Sequence, residues 1–108
     1  MSISMEKPKL SQSKKQADFI LLFEDQKTKI TSWRFDPGAE TGWHLHNFDY
    51  VTIQKSGGRL KLESEDGEVK FITYQKDKTD SYKAPVKHNA TNVSSEEVRV
   101  IEIEYKNQ

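Results

Sequence analysis

Gly38-Ala39-Glu40-Thr41-Gly42-Trp43-His44-Leu45-His46 is followed, three residues on, by Tyr50-Val51-Thr52-Ile53-Gln54 and then by the turn Ser56-Gly57-Gly58. Residues i and i+2 of a strand project from one face, so His44 and His46 offer two imidazoles to a single point. The third and last histidine, His88, lies far downstream with Asn92 four positions after it. A third imidazole brought in from a distant strand closes a three-nitrogen site of the kind that suits zinc, iron, copper or nickel. All three histidines are then used.

Outward from this stretch the chain reads as short strands divided by turns, with no helical period. Upstream, Asp18 to Phe23 and Lys29 to Phe35 are apolar, β-branched and aromatic, and Asp36-Pro37-Gly38 ends the second of them. Downstream, Arg59 to Glu65 alternates, Asp66-Gly67 is a hairpin turn, and Val69 to Tyr74 answers it. Ser81 to Ala84, His88 to Val93 and Val98 to Tyr105 complete the set, with Pro85 as a break. About eight short strands without helices predict an all-β, single-domain jelly-roll sandwich or barrel.

The 108 residues suffice for one modest core. Seventeen basic residues balance seventeen acidic ones, which argues against a nucleic-acid surface. There is no cysteine, so disulfides and thiolate metal sites are excluded. Residues 1–16 are polar and lysine-rich; they are expected to be a flexible segment or a dimer arm, with the barrel in 17–108. Neither a signal peptide nor a membrane span is read, so the expected location is the cytoplasm.

The spacing Gly38-x5-His44-x-His46-x3-Tyr50-x6-Gly57, with His88-x3-Asn92, resembles the two motifs of the cupins. The run from Trp33 to His44, with Asp49-Tyr50-Val51, is more similar still to the single-domain bacterial cupins named for β-alanine degradation. The resemblance implies a cupin-type jelly-roll β-barrel, a double-stranded β-helix, usually dimeric, whose inward histidines hold one metal. Each motif departs from it. Tyr50 replaces the glutamate of the first motif, and Pro85 and Lys83 stand in the glycine and proline slots of the second.

If the strand runs regularly, His44, His46, Tyr50, Thr52 and Gln54 share a face, and Tyr50 points into the pocket. Tyr50 is therefore the candidate acid/base or substrate orienter, and Asp49 is an alternative ligand if a bulge turns it inward. Thr52, Gln54, Trp43 and Arg34 are the remaining pocket candidates, Arg34 as a fork for an anionic substrate. Val51 and Ile53 on the opposite face would pack against another sheet or a second subunit. The expected cofactor is one divalent transition metal ion per chain (iron, nickel, zinc or manganese) on His44, His46 and His88. The expected ligand is a small polar or anionic metabolite of amino-acid or amine catabolism. An oxygenase, isomerase or hydrolase and a non-catalytic binding module both fit, and the expected partner is a second copy of the chain.

Overall fold

The computed structural model describes residues 15–106. Among them there is no helix, and eleven strands follow in order. They are β1 (Lys15–Gln16), β2 (Asp18–Glu24), β3 (Thr28–Phe35), β4 (Ala39–Glu40), β5 (His44–His46), β6 (Tyr50–Gln54), β7 (Arg59–Ser64), β8 (Val69–Thr73), β9 (Thr79–Tyr82), β10 (Val86–Asn92) and β11 (Val98–Tyr105). Residues 1–14, most of the segment expected to be flexible or a dimer arm, lie outside the described residues. Its last two residues form β1, parallel to β4 through Lys15↔Ala39 and Gln16↔Glu40, so the expected boundary at 16 falls just after a short strand.

Two sheets result. One has the order β9-β6-β11-β3-β2, and the other β1-β4-β10-β7-β8 with β5 also paired to β10. Every pairing except β1 with β4 is antiparallel. The longest ladder joins β3 to β11 from Val98↔Phe35 to Tyr105↔Thr28. Alternation then sorts the side chains. Phe35, Val98, Val100, Leu60, Ala90 and Tyr74 are buried in the core, with Trp33, Leu62 and Ile72 packed against them.

The regular strand expected to carry His44 through Gln54 is instead two strands in different sheets. β5 pairs with β10, whereas β6 pairs with β9 and β11. The break at residues 47–49 lets the chain cross from one sheet to the other. Asp49 accepts the Ala84 N–H at 2.8 Å there and lies beside Lys83, so it serves the crossing and not the pocket. The inward parity nevertheless survives, because Tyr50, Thr52 and Gln54 are the buried members of β6.

The interior is unusually polar for so small a core. Thr31, His46, Thr52, Gln54, His88, Asn89 and Asn92 are all buried. Buried polar groups are tolerated only when bonded, and several of these hold loops. Asn92 Nδ2 donates to the carbonyls of Phe35 and Glu96, while its Oδ1 accepts from Ser94. Gln54 donates to Asp80 and accepts the Gln75 N–H at 2.6 Å, tying down the loop between β8 and β9. Gln54 was expected in the pocket; it does not line the cavity, because both ends of its amide are spent on that loop.

Candidate metal centre

β5 and β10 run side by side with His44 directly opposite His88, and His46 lies two residues along β5 on the same face. The three rings meet. His44 Nε2 is 3.0 Å from His46 Nε2 and 3.1 Å from His88 Nε2, and the three ligating atoms lie within 4.8 Å of one another.

The far nitrogens decide what those near nitrogens carry. His44 Nδ1 is 2.9 Å from the Gly42 carbonyl, which can only accept, so the proton sits on Nδ1. His46 Nδ1 donates in the same way to Glu104 Oε2 at 3.1 Å. Both Nε2 atoms are left with bare lone pairs aimed at each other. Two lone pairs at that distance repel unless a cation lies between them, and nitrogens about 2.1 Å from one ion are brought about this close. The donor set fits a transition metal, with the second nitrogens engaged as ligating histidines require.

Two of the rings, His46 and His88, are also held neutral. Burial pushes His88 down to about 3, helped by the neighbouring His44 and His46. Burial likewise lowers His46, against the opposing pull of the Glu104 hydrogen bond. Neutral imidazole is the form that ligates. The loop that supplies the Gly42 carbonyl is itself pinned: Asn89 accepts the Gly42 N–H at 3.0 Å and donates to Glu40 at 2.9 Å.

Tyr50 lines the inner cavity beside the histidines. Its ring stacks on His46 with centroids 4.2 Å apart and on Tyr82 at 4.8 Å. Burial, and then the charge of Glu102, raises its phenol far above the ordinary tyrosine range. Thr52 also lines the inner cavity. Two other expectations are corrected. Trp43 is 52% exposed and lines neither the inner cavity nor the outer cleft beside the histidines; the indole beside the site is Trp33, stacked on His44 at 6.5 Å. Arg34 alternates with the inward Trp33 and Phe35, so it projects outward, where it pairs with Asp18, Asp36 and Glu97.

Sequence reading missed two glutamates. Val98, Val100, Glu102 and Glu104 alternate along β11, so the strand carrying core valines at one end carries carboxylates at the other. Glu104 stands directly opposite Tyr50 and bonds His46. The carboxylate missing at Tyr50 thus reappears one strand across, behind a histidine. Glu102 receives the Trp33 indole N–H at 3.1 Å, and burial, then the charge of Glu104, pushes it up to about 7. The signal was available: two glutamates at i and i+2, the spacing of His44 and His46.

No family model matches the chain. The chain is 42% identical over 77 residues to the β-alanine degradation protein BauB of Pseudomonas aeruginosa, covering 71% of this chain and 80% of BauB. It superposes on a cupin domain from Bordetella pertussis with a TM-score of 0.82 and 34% identity, over 87% of this chain and 97% of that one. A double-stranded β-helix protein from Klebsiella pneumoniae gives a TM-score of 0.73 at 17% identity, over 93% and 84% of the two chains; it bears on fold alone.

Proposed function

This chain belongs to the cupins, as a small single-domain member akin to BauB, and from that premise we propose that it holds one divalent transition metal and acts on a small polar metabolite of amino-acid or amine catabolism. The observation that carries the reading is the pair of Nδ1 partners, Gly42 and Glu104, which leave the Nε2 lone pairs of His44 and His46 converging beside His88. When bound there, a metal would supply Lewis acidity and open coordination positions, as metal-assisted oxygenation, isomerisation or hydrolysis needs. The metabolic role is suggested by the name of BauB.

The chain's own residues divide the remaining work. His44, His46 and His88 are the ligands. Tyr50 orients a substrate or serves as its acid, and burial keeps the phenol in its protonated, donating form. Glu104 positions His46 and strengthens it as a donor. Glu104→Gln is expected to weaken metal affinity roughly 10–100-fold while one ion per chain is still bound. Chelator competition measures this, and unchanged affinity would contradict the role.

The direct test is metal analysis of the protein as purified, followed by a turnover screen on the loaded protein with small amines, amino acids and their aldehydes. One ion per chain with turnover supports the enzyme. One ion without turnover favours the second reading, a non-catalytic binding module. The setting this reading assumes is the cytoplasm; among the described residues no helix is long and apolar enough to cross a membrane.

The same reading includes a homodimer built on β2. Phe19, Ile20, Leu21, Leu22 and Phe23 are all at least half exposed or nearly so, on both faces of a strand at the edge of its sheet. An apolar edge strand with open backbone groups invites a second strand. Phe19 and Leu21 also wall the outer cleft that reaches His44 and His46, so a second copy would cover the approach to the site. Ile20, 65% exposed, is the most open of the five. Ile20→Lys is expected to shift a dimeric mass to a monomeric one in light scattering. A wild-type chain that is already monomeric would refute the dimer.

A further inference from the structure

We infer that the inner cavity receives the primary ammonium end of a small substrate, with Glu102 as its counter-charge and the hydroxyls of Tyr50 and Tyr74 as acceptors for its remaining N–H groups. The cavity lies directly behind the imidazole cluster and shares His44 and His88 with it. Its other polar walls are Thr41, Thr52, Tyr82 and these three residues, and no lysine or arginine lines it.

Three polar groups there have bonding capacity that no protein group uses among the described residues. Tyr50 is 2% exposed and Tyr74 is 8% exposed, yet no side chain or backbone group bonds either hydroxyl. Glu102 takes one N–H, from Trp33, on one of its two oxygens. Buried polar groups are bonded in the great majority of cases, so two unbonded hydroxyls and a half-used carboxylate around one cavity mark it as built for a ligand that bonds them.

Hydroxyls by themselves would suit a carboxylate as well as an ammonium. Glu102 fixes the sign. It is the one acidic residue of the lining, and no lysine or arginine stands there to offset it. Glu104 is already engaged by His46, whereas Glu102 has only a neutral indole. Lys29, the nearby cation felt by Glu102, lines the outer cleft and not this cavity. An incoming ammonium would supply the missing positive partner and three donors for three acceptors.

Size narrows the class. The cavity offers a volume of ≈ 30 Å³, enough for one or two water-sized groups. That admits a primary ammonium and excludes a trimethylated one. The rest of the substrate lies toward the histidines, so its other end carries a lone-pair donor such as a carboxylate or carbonyl. This last clause rests on the metal reading above; the ammonium assignment does not.

The test uses the full chain loaded with zinc, titrated calorimetrically with 3-aminopropionate, propionate and 3-(trimethylammonio)propionate at slightly alkaline pH. 3-Aminopropionate is expected to bind roughly tenfold or more tightly than the other two. Glu102→Gln is expected to erase that margin while zinc stoichiometry and melting temperature stay unchanged, and Tyr74→Phe is expected to narrow it. Equal binding of propionate, a margin that survives Glu102→Gln, or no binding of any probe would overturn the inference. Failure to load zinc would overturn the metal reading alone. In that case propylamine is compared with 1-propanol on the metal-free chain, where the absence of a preference for the amine overturns the cavity assignment.

Discussion

His44→Ala is expected to abolish stoichiometric metal binding. His44 is the shared vertex of the cluster, with its Nε2 near both His46 and His88. Without it two imidazoles remain, and Glu104 is left orienting a ligand that has lost its neighbour. The loss should exceed the roughly 10–100-fold typical of an outer-shell partner. Metal content after dialysis reads the result directly. The fold should survive, because His44 is only half-buried and lies outside the apolar core. A variant that keeps one ion per chain would refute the ligand assignment.

Gly58→Ala is the second large effect. The backbone at Gly58 has φ of +106°, a region that side chains with a Cβ rarely enter, and an added Cβ would stand 2.5 Å from Val98 Cγ2. Val98 is fully buried and β-branched, so it has no easy rotamer to retreat into. Left-handed strain and overpacking each cost about 1–3 kcal/mol. Together they predict a fall of roughly 10 °C or more in melting temperature for a domain this size. Gly57→Ala is the control. A Cβ there meets only the carboxylate end of Glu96, at 3.4 Å, and the change should be small. If Gly58→Ala melts with the wild type, the packing account of this turn is wrong.

That contrast shows where sequence reading ends. Motif spacing drew attention to Gly57, yet the position that tolerates no side chain is its neighbour, because a glycine's necessity depends on what packs over it. The three histidines were legible since each falls on a strand where alternation fixes direction. Tyr50 faces inward although the strand assumed to carry it is really two, because the intervening crossover preserves the parity. Arg34 was misplaced because nothing in its own residue type shows which face of β3 looks inward. Trp33 and Phe35 settle that only once packing is seen.

Glu102 and Glu104 were obscured by the mixed character of β11. Ile101 and Ile103 alternate with them, so hydrophobicity alone would turn the glutamates outward. The register with β6 and β3 sets Val98 and Val100 into the core and carries the glutamates in with them. A strand's direction is decided by its best-buried residues, and the others follow.

Arg34 has a use where it stands. Its guanidinium joins Asp18 at the start of β2, Asp36 in the turn after β3 and Glu97 before β11. All four side chains are open to solvent, so dissolved ions screen the cluster readily. Ionic strength thereby becomes a control on how firmly one end of β2 is clipped to its sheet. A protein whose self-association runs through that strand would loosen in brine and tighten in dilute buffer, the reverse of what an apolar contact alone would do.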